Sequence, residues 1–406
     1  LRKRGLSDSE RAISPSLLKT IHPRHTKLLR RLGAYWRIAA SSQKEEWAAI
    51  LIELNALPEV DTAYQELTLS TPSLVSIDPR DDPYAARQGY LNASPEGIDA
   101  KYAWRQRNGM GAEVGLVDVE RSCNCDHEEL TNSTIQLVHG DIRPGDHGTA
   151  VLGEIVAADN VFGGIGIAPC TEYVLLSSWH KKKKPDQHVA SAIITALPLM
   201  YAGDVMLLEV ERSGRPTEVD DLDFDAIQLA VAEGMVVVEA AGNGGVNLDK
   251  YKNHLSERIF NRSAPEFRDS GAILVGAADP RDSNNRAAFS CYGGRMDCFA
   301  WGRHVTSSGY GYLSNGGGNP NRTYTHKFNG TSSASAIIAG AALIVQGMSN
   351  QNLGRVMSPS EVRAMLSNPK TGTAQGGGVS GYIGFMPDLR KVIHCCGLTG
   401  RCMPAP

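Results

Sequence analysis

From about residue 95 onward, short apolar runs alternate with longer segments whose apolar residues recur at helical spacing. The predicted strands cover 112–118, 173–178, 204–210, 235–243 and 272–278, and the predicted helices cover 147–159, 188–203 and 224–234. Strands that are apolar on both faces are typical of a parallel sheet covered by helices on both sides. The pattern therefore predicts an α/β fold with a parallel sheet between helical layers. In such sheets, functional groups gather at the carboxyl ends of the strands.

The first segment of the chain has a different pattern. Residues 34–40 alternate like a strand, Ser42 and Glu45 form a capping box for a helix that ends at Pro58, and 60–69 returns as a strand. A stretch rich in Pro, Ser and Asp follows at 70–84 and has the composition of a linker. The sequence therefore predicts a small α+β domain over 1–77 and a larger domain over 78–406, which ends in a short tail containing cysteines.

Charge and hydropathy exclude some classes of partner. The formal net charge is −3, and the four lysines at 181–184 have the character of a solvated loop, so we expect no nucleic-acid partner. No run approaches the ~18 continuous apolar residues of a membrane helix, so we expect no membrane partner. The chain begins at Leu1 without an apolar leader, which fits either a signal that was removed or none at all.

The cysteines bear on the cellular compartment. Their even number, eight, fits disulfides in an oxidising compartment, and free buried thiols or a zinc site are the alternatives. Zinc is disfavoured because no C-x-x-C pair is present, and Cys291 with Cys298 is the one pairing that the local spacing favours. Five N-x-S/T sequons are also compatible with an extracellular protein.

Polar residues stand where predicted strands give way to helices or turns. Asp118 ends one strand, His147 opens a helix, and Ser332 follows Gly-Thr at the start of a long apolar helix. Singly, each has an ordinary explanation as a cap or a structural residue. Together they are the types that activate a serine, since an imidazole removes the hydroxyl proton and a buried carboxylate orients the imidazole. Asn243, which ends another strand, is placed to donate to an oxyanion.

The segments around these residues resemble the blocks of the subtilisin-like serine peptidases, the subtilase family. They read EVGLVDVERSCNCDHEEL, HGTAVLGEIVAADNVFGGIGIAP, VVVEAAGNGG and NGTSSASAIIAGAAL, in the order and spacing of that family. The resemblance implies Asp118 as orienting acid, His147 as general base and acid, Ser332 as nucleophile and Asn243 as oxyanion donor. It also implies peptide-bond hydrolysis without a required cofactor. Ser333 and Ser335 are competing candidates for the nucleophile.

The first segment is similar to the propeptide domains of the same family. The resemblance implies a folding aid and intramolecular inhibitor whose tail lies in the active-site cleft, with cleavage between about residues 70 and 85. A plain structural domain is the alternative. Together with the cysteine count, the family resemblance favours a secreted, extracellular enzyme made as a zymogen.

The substrate-binding strand departs from the family pattern. It reads LLEVERSG at 207–214, which places Glu209, Val210 and Glu211, together with Gly242, in or beside the pocket for the residue before the scissile bond. A desolvated carboxylate there would select a basic residue, because it pairs strongly with arginine. The alternative is that both acids point outward or pair with neighbouring arginines.

Two further features leave alternatives open. The acidic stretch at 218–225 fits either the start of a helix or, as a family-level possibility, structural calcium, but no set of ligands with recognisable loop spacing stands out. The function could also be that of a catalytically silent subtilase-like protein that binds peptides. A lipase-type hydrolase is disfavoured, because G-x-S-x-G and the order Ser, Asp, His are both missing.

Overall fold

The computed structural model describes residues 8–11, 36–39, 54–58, 60, 77–131, 133–180 and 189–399. The chain falls into two compact units, Leu1–Val75 and Ser76–Pro406. In the first, strand β1 (Asp8–Arg11) pairs antiparallel with β2 (Trp36–Ala39), which lies within the strand predicted at 34–40. Most of the predicted helix before Pro58, the strand at 60–69 and the lysine run lie outside the described residues.

The second unit is built on a ten-stranded, mostly parallel sheet in the described part of the chain. The strands are β3 (Gly115–Val119), β4 (Ile135–His139), β5 (Tyr173–Ser177), β6 (Val205–Leu208), β9 (Val236–Ala240), β10 (Ile273–Asp279), β11 (Asn285–Arg286), β12 (Cys298–Trp301), β15 (Gly372–Ala374) and β16 (Phe385–Pro387). They run in the spatial order β15-β16-β12-β10-β9-β6-β3-β5-β4, with β11 added beside β10. Only the β15–β16 and β10–β11 pairs among these are antiparallel. The α/β prediction with a parallel sheet is therefore confirmed.

Two small hairpins lie outside this sheet. Strands β7 (Glu211–Arg212) and β8 (Arg215–Pro216) pair with each other directly after β6. Strands β13 (Val305–Ser308) and β14 (Tyr324–Phe328) form the second hairpin, which leads into the helix that carries Ser332.

Helices cover both faces of the sheet, as the alternating pattern predicts. They are α1 (Ala100–Ala103), α2 (Asp146–Val156), α3 (Val189–Ala196), α4 (Asp221–Ala232), α5 (Thr331–Met348), α6 (Pro359–Leu366) and α7 (Leu389–Cys395). Helices α2 and α5 bury their apolar residues in one core cluster, and α3 and α4 in another. Helix α3 is shorter than its predicted segment, since Pro198 removes a backbone donor and the chain continues as a 3-10 turn.

Helix α5 is the central helix of the main core. Gly340 allows it to approach the neighbouring segment closely, because a Cβ there would lie 2.7 Å from the Ile167 side chain. Residues 331–353 are long and apolar enough to cross a membrane, with a mean hydropathy of 1.4, but 94% of that window is buried inside the protein. Its apolar composition is thus explained by the core that it fills.

The cysteines differ from the sequence-based expectation. Cys291 and Cys298 are both free thiols, so the predicted pairing between them is wrong. Cys298 lies in β12 within the main core, whereas Cys291 belongs to a separate small cluster with Leu248 and Phe260. Two cysteines that are close in the sequence therefore pack into different cores. All cysteines in the described part of the chain are free thiols.

A cluster of buried ion pairs lies where β12 begins. The guanidinium of Arg295 is fully buried, with Asp297 2.8 Å and Glu218 3.1 Å from its nitrogens. Arg363 adds two hydrogen bonds to Asp269, at 2.8 and 2.9 Å, and one to Asp297 at 2.8 Å. Each of these acids is thus matched by a guanidinium that stays charged at all accessible pH values.

Candidate active site

The hydroxyl of Ser332 faces an imidazole at the carboxyl edge of the sheet. Ser332 is the second residue of α5, and its Oγ lies 3.1 Å from Nε2 of His147. Gly330 enters the helix with a φ of 110°, a left-handed value that favours glycine. The competing serines point elsewhere, because Ser333 donates to the Trp301 carbonyl and Ser335 to carboxyl and carbonyl oxygens. The geometry therefore singles out Ser332.

The carboxylate that meets His147 belongs to Glu120, and the assignment of Asp118 is corrected here. Oε2 of Glu120 lies 2.6 Å from Nδ1 of His147. The other oxygen, Oε1, accepts from the backbone N–H groups of Arg121 at 2.6 Å and Ser122 at 3.3 Å. This carboxylate is 2% exposed, so it is held in one orientation against the ring. Glu120, His147 and Ser332 thus form one hydrogen-bonded chain.

Asp118 does not meet the imidazole because β3 ends one residue later than predicted. The strand continues through Val119, which places Asp118 inside the sheet and Glu120 at its carboxyl edge. Side chains two residues apart in a strand share a face, so both acids point toward the same core. Asp118 is fully buried, and neither of its carboxyl oxygens has a hydrogen-bond partner in the described part of the chain. The sequence signal for Glu120 is the spacing in Asp-Val-Glu, because residues two apart in a strand place their side chains on the same face.

Burial and neighbouring charges decide which acids are ionised. Burial raises the pKa of Asp118 well above its usual range, and the negative charges of Glu120 and Glu209 add to that effect. Burial likewise raises the pKa of Glu154, on α2, with Glu209 again contributing. Burial thus favours the neutral form of both carboxyls, and the acid that meets His147 is Glu120.

The imidazole of His147 favours its charged form, in contrast to these two acids. Burial lowers its pKa, but the charge and hydrogen bond of Glu120 and the charge of Glu209 outweigh that effect and raise it to about 9. A phenyl ring also packs against the imidazole edge, with the ring centroids of His147 and Phe328 5.7 Å apart. The resting site therefore holds a protonated imidazole at neutral pH, and alkaline pH frees the base.

Asn243 lies beside the same helix terminus. Its Oδ1 accepts from the backbone N–H of Thr331 at 2.9 Å, which ties the amide to the start of α5. Its Nδ2 donates to Oε2 of Glu211 at 2.9 Å, and that oxygen also accepts from the Asn243 backbone N–H at 2.8 Å. The exposed carboxylate of Glu211 therefore binds the Asn243 amide, which the sequence predicts as the donor to an oxyanion.

The other predicted pocket residues separate into different environments. Glu209 is 5% exposed and accepts from Ser335, so it lies beneath α5 rather than in an open pocket wall. Val210 packs against the core on the opposite face of the sheet. Gly242 has a φ of 93°, and its N–H donates to Thr331. Of the two acids, only Glu211 is exposed to an incoming peptide.

The acidic stretch at 218–225 forms the start of a helix. The side chain of Asp220 accepts from the N–H groups of Leu222 and Asp223 and so caps α4. Asp223 is paired with Arg212 at 2.6 Å. These contacts match the helix-start interpretation of that stretch.

A serine, an imidazole and a buried carboxylate in hydrogen-bonded sequence at the carboxyl edge of a parallel sheet have the chemistry of a serine hydrolase. The sequence profile of the subtilase family, Peptidase_S8, matches residues 97–385. The chain therefore belongs to the subtilase family and is a serine endopeptidase of the subtilisin type.

Individual relatives agree with this placement. Subtilisin BL of Lederbergia lenta is 31% identical over 60% of this chain and 78% of its own. Subtilisin DY of Bacillus licheniformis is 30% identical over 65% of this chain and 85% of its own. Among solved structures, a protease of Pseudoalteromonas arctica superposes with a TM-score of 0.57 at 17% identity, covering 78% of this chain and 99% of the other. At that identity, the superposition supports the fold alone.

Proposed function

We propose that this protein cleaves peptide bonds through an acyl-enzyme on Ser332, with His147 as general base and acid and Glu120 as the orienting carboxylate. The observation that carries the proposal is the chain of two contacts, 3.1 Å from Ser332 to His147 and 2.6 Å from His147 to Glu120. The predicted Asp-His-Ser set is thus replaced by a Glu-His-Ser set. In this proposal Asp118 is a buried neighbour that makes no hydrogen bond with any described residue.

Each group has a defined task in the reaction. Ser332 Oγ attacks the peptide carbonyl carbon while its proton moves to Nε2 of His147, and Glu120 stabilises the imidazolium through Nδ1. Nδ2 of Asn243 and the N–H groups of the first turn of α5 bind the negative oxygen of the tetrahedral intermediate. The imidazolium then protonates the leaving amine, the C–N bond breaks, and water hydrolyses the ester by the same route in reverse.

Glu211 is the remaining candidate for substrate selection. Its carboxylate is exposed beside Asn243, and a basic residue before the scissile bond would pair with it and draw it away from the amide. We therefore propose a preference for Arg or Lys at that position. The Glu211→Gln variant should lose this preference, measured as the ratio of kcat/KM for matched Arg and Leu peptides, and an unchanged ratio would contradict the role.

Two broader features of the proposal follow from family membership. The first is extracellular action, for which the free thiols of the described cysteines supply no support of their own. The second is inhibition by the first 75 residues or so, which form a separate compact unit. Cell fractionation tests the first feature, and an increase in peptide hydrolysis after limited proteolysis between the two units tests the second.

The experiment that tests the central proposal is labelling with a fluorophosphonate, followed by mapping of the adduct. We expect the adduct on Ser332, and we expect none in the Ser332→Ala variant. Ser333→Ala is the matched control, because that hydroxyl is buried against a carbonyl and should not affect labelling. An adduct elsewhere, or none after removal of the first unit, would contradict the proposal and favour a silent peptide-binding protein.

A further inference from the structure

The carboxyl group of Glu209 is buried directly beneath the nucleophile's helix. Glu209 follows the last residue of β6, and its Oε1 accepts from the Ser335 hydroxyl at 2.7 Å. Its Oε2 makes no regular hydrogen bond with any described residue. The Ser335 hydroxyl also lies 3.0 Å from the Ser332 carbonyl oxygen, so it links this carboxyl to the nucleophilic residue. Buried polar groups are normally satisfied, so a carboxyl oxygen left without a regular partner beside the nucleophile calls for an explanation.

Three elements place titratable groups around Glu209. They are Asp118 and Glu120 from β3 and its continuation, His147 and Glu154 from α2, and Ser332 and Ser335 from α5. Burial favours the neutral form of the Asp118 and Glu154 carboxyls. Within the described residues, the charges that act on the Glu209 carboxyl are those of His147 and Glu120.

We propose that Glu209 is a second positioning acid of the catalytic centre, which is linked to Ser332 through Ser335 and shares with Glu120 the stabilisation of the protonated imidazole. The proposal rests on the function proposed above. When the Ser332 proton moves to Nε2 of His147, two carboxylates rather than one then stabilise the new positive charge. No additional proton transfer is required, because Glu209 acts through its charge and its contacts with the first turn of α5.

The titration of Glu209 is consistent with this role. Burial raises the pKa of its carboxyl to about 7, although the charge of His147 and the hydroxyls of Ser335 and Ser332 pull it down. The group is therefore ionised over the alkaline range in which His147 releases its proton. A carboxylate in that place favours the imidazolium, so it moves the range of activity to higher pH.

The test is the pH profile of kcat/KM for a neutral peptide, measured on the wild type and on Glu209→Gln. The glutamine keeps the shape and accepts from Ser335, but it carries no charge. We expect the rising limb to move down by about one pH unit and the plateau rate to fall about tenfold, because the imidazolium loses one of two stabilising charges. Glu239→Gln is the matched control, since Glu239 is also buried, on the neighbouring strand β9, but accepts from the Glu218 backbone and should leave the profile in place.

The outcomes separate the two proposals. A folded Glu209→Gln enzyme whose rising limb coincides with that of the wild type overturns this inference, while Ser332 labelling upholds the function. Failure to label Ser332 in the wild type after removal of the first unit overturns both. If Glu209→Gln does not fold, Ser335→Ala replaces it. Loss of that donor raises the pKa of Glu209, so the rising limb of the pH profile should also move down, by a smaller amount than in Glu209→Gln. An unmoved limb in that variant also overturns the inference.

Discussion

Two buried groups of charged residues lie in the same unit and are built differently. Around Arg295, carboxylates from Glu218, Asp269 and Asp297 are matched by permanent positive charges. Around His147, an imidazole is the one cationic partner of the acids within the described residues. The acids of that group are Asp118, Glu120, Glu154 and Glu209.

The difference shows in the protonation of the acids. Although burial alone would raise it, the pKa of Asp269 is held below its usual range by hydrogen bonds and charge from Arg363 and by the charge of Arg295. Asp118 and Glu154 have no such partner, and their pKa values rise. The pairs of Asp269 with Arg363 and Arg295 therefore stay charged and stabilise the fold. The group around His147 gains and loses charge with protons, as acid–base chemistry requires.

The strongest test of the comparison replaces each of the two acids on one face of β3 by its amide, one variant at a time. In Glu120→Gln, the amide cannot stabilise the imidazolium, and we expect kcat to fall by about 10⁴-fold, as for loss of the orienting acid in other serine hydrolases. Asp118→Asn should change kcat by no more than a few fold, because burial already favours the neutral form of the native carboxyl and it makes no hydrogen bond with any described residue. Steady-state hydrolysis of one peptide by both variants is sufficient. A larger loss in the Asp118 variant would restore the original assignment.

The paired group should respond in stability instead of activity. Arg295→Met leaves its buried carboxylates without their partner, and we expect the free energy of unfolding to fall by about 3–5 kcal/mol. Urea denaturation followed by tryptophan fluorescence measures this. Arg80→Met, which breaks an exposed ion pair with Asp78, should change nothing measurable. If the folded Arg295 variant also shifted the pH profile of hydrolysis, the two groups would not be independent.

The pH dependence of hydrolysis sharpens the contrast. The pKa of His147 is raised to about 9, so the neutral imidazole that accepts the serine proton is a minor species at lower pH. We expect kcat/KM to rise about tenfold per pH unit up to that value and then level off. The free energy of unfolding contributed by the pairs of Asp269 with Arg363 and Arg295 should stay constant over the same range. A rising limb centred near the ordinary histidine value of about 6.5 would show that the acids do not act on His147.

The smallest expected effect concerns Glu211, the exposed acid at the edge of the site. Its carboxylate binds Nδ2 of Asn243 and must leave before an oxyanion can take its place. Glu211→Ala should therefore accelerate labelling by an uncharged fluorophosphonate several-fold, because the amide donor becomes free. Asn243→Ala should slow the same reaction, which confirms that the amide is the donor concerned. Slower labelling of the Glu211 variant would mean that the carboxylate orients Asn243 productively.

Much of the fold could be predicted because it depends on local pattern. The apolar runs that became β5, β6, β9 and β10 lie within one to three residues of their predicted ends. Strands buried on both faces need unbroken apolar runs, and the helices between them need apolar residues at helical spacing. The positions of His147 and Ser332 followed from the same junctions. The N-terminal strand Asp8–Arg11 carried no comparable pattern and was not anticipated.

The residues by themselves determined the α/β class, the family and the serine and histidine that meet at 3.1 Å. Only the tertiary structure decided which acid meets the imidazole. The reason is that Asp118 and Glu120 share one face of β3, and a single residue in the length of the strand determines which of them reaches the edge. The packing of α5 over β6 likewise decided that Glu209 is buried under the serine while Glu211 faces solvent. Burial and charge pairing arise between segments far apart in the chain, so local spacing cannot assign them.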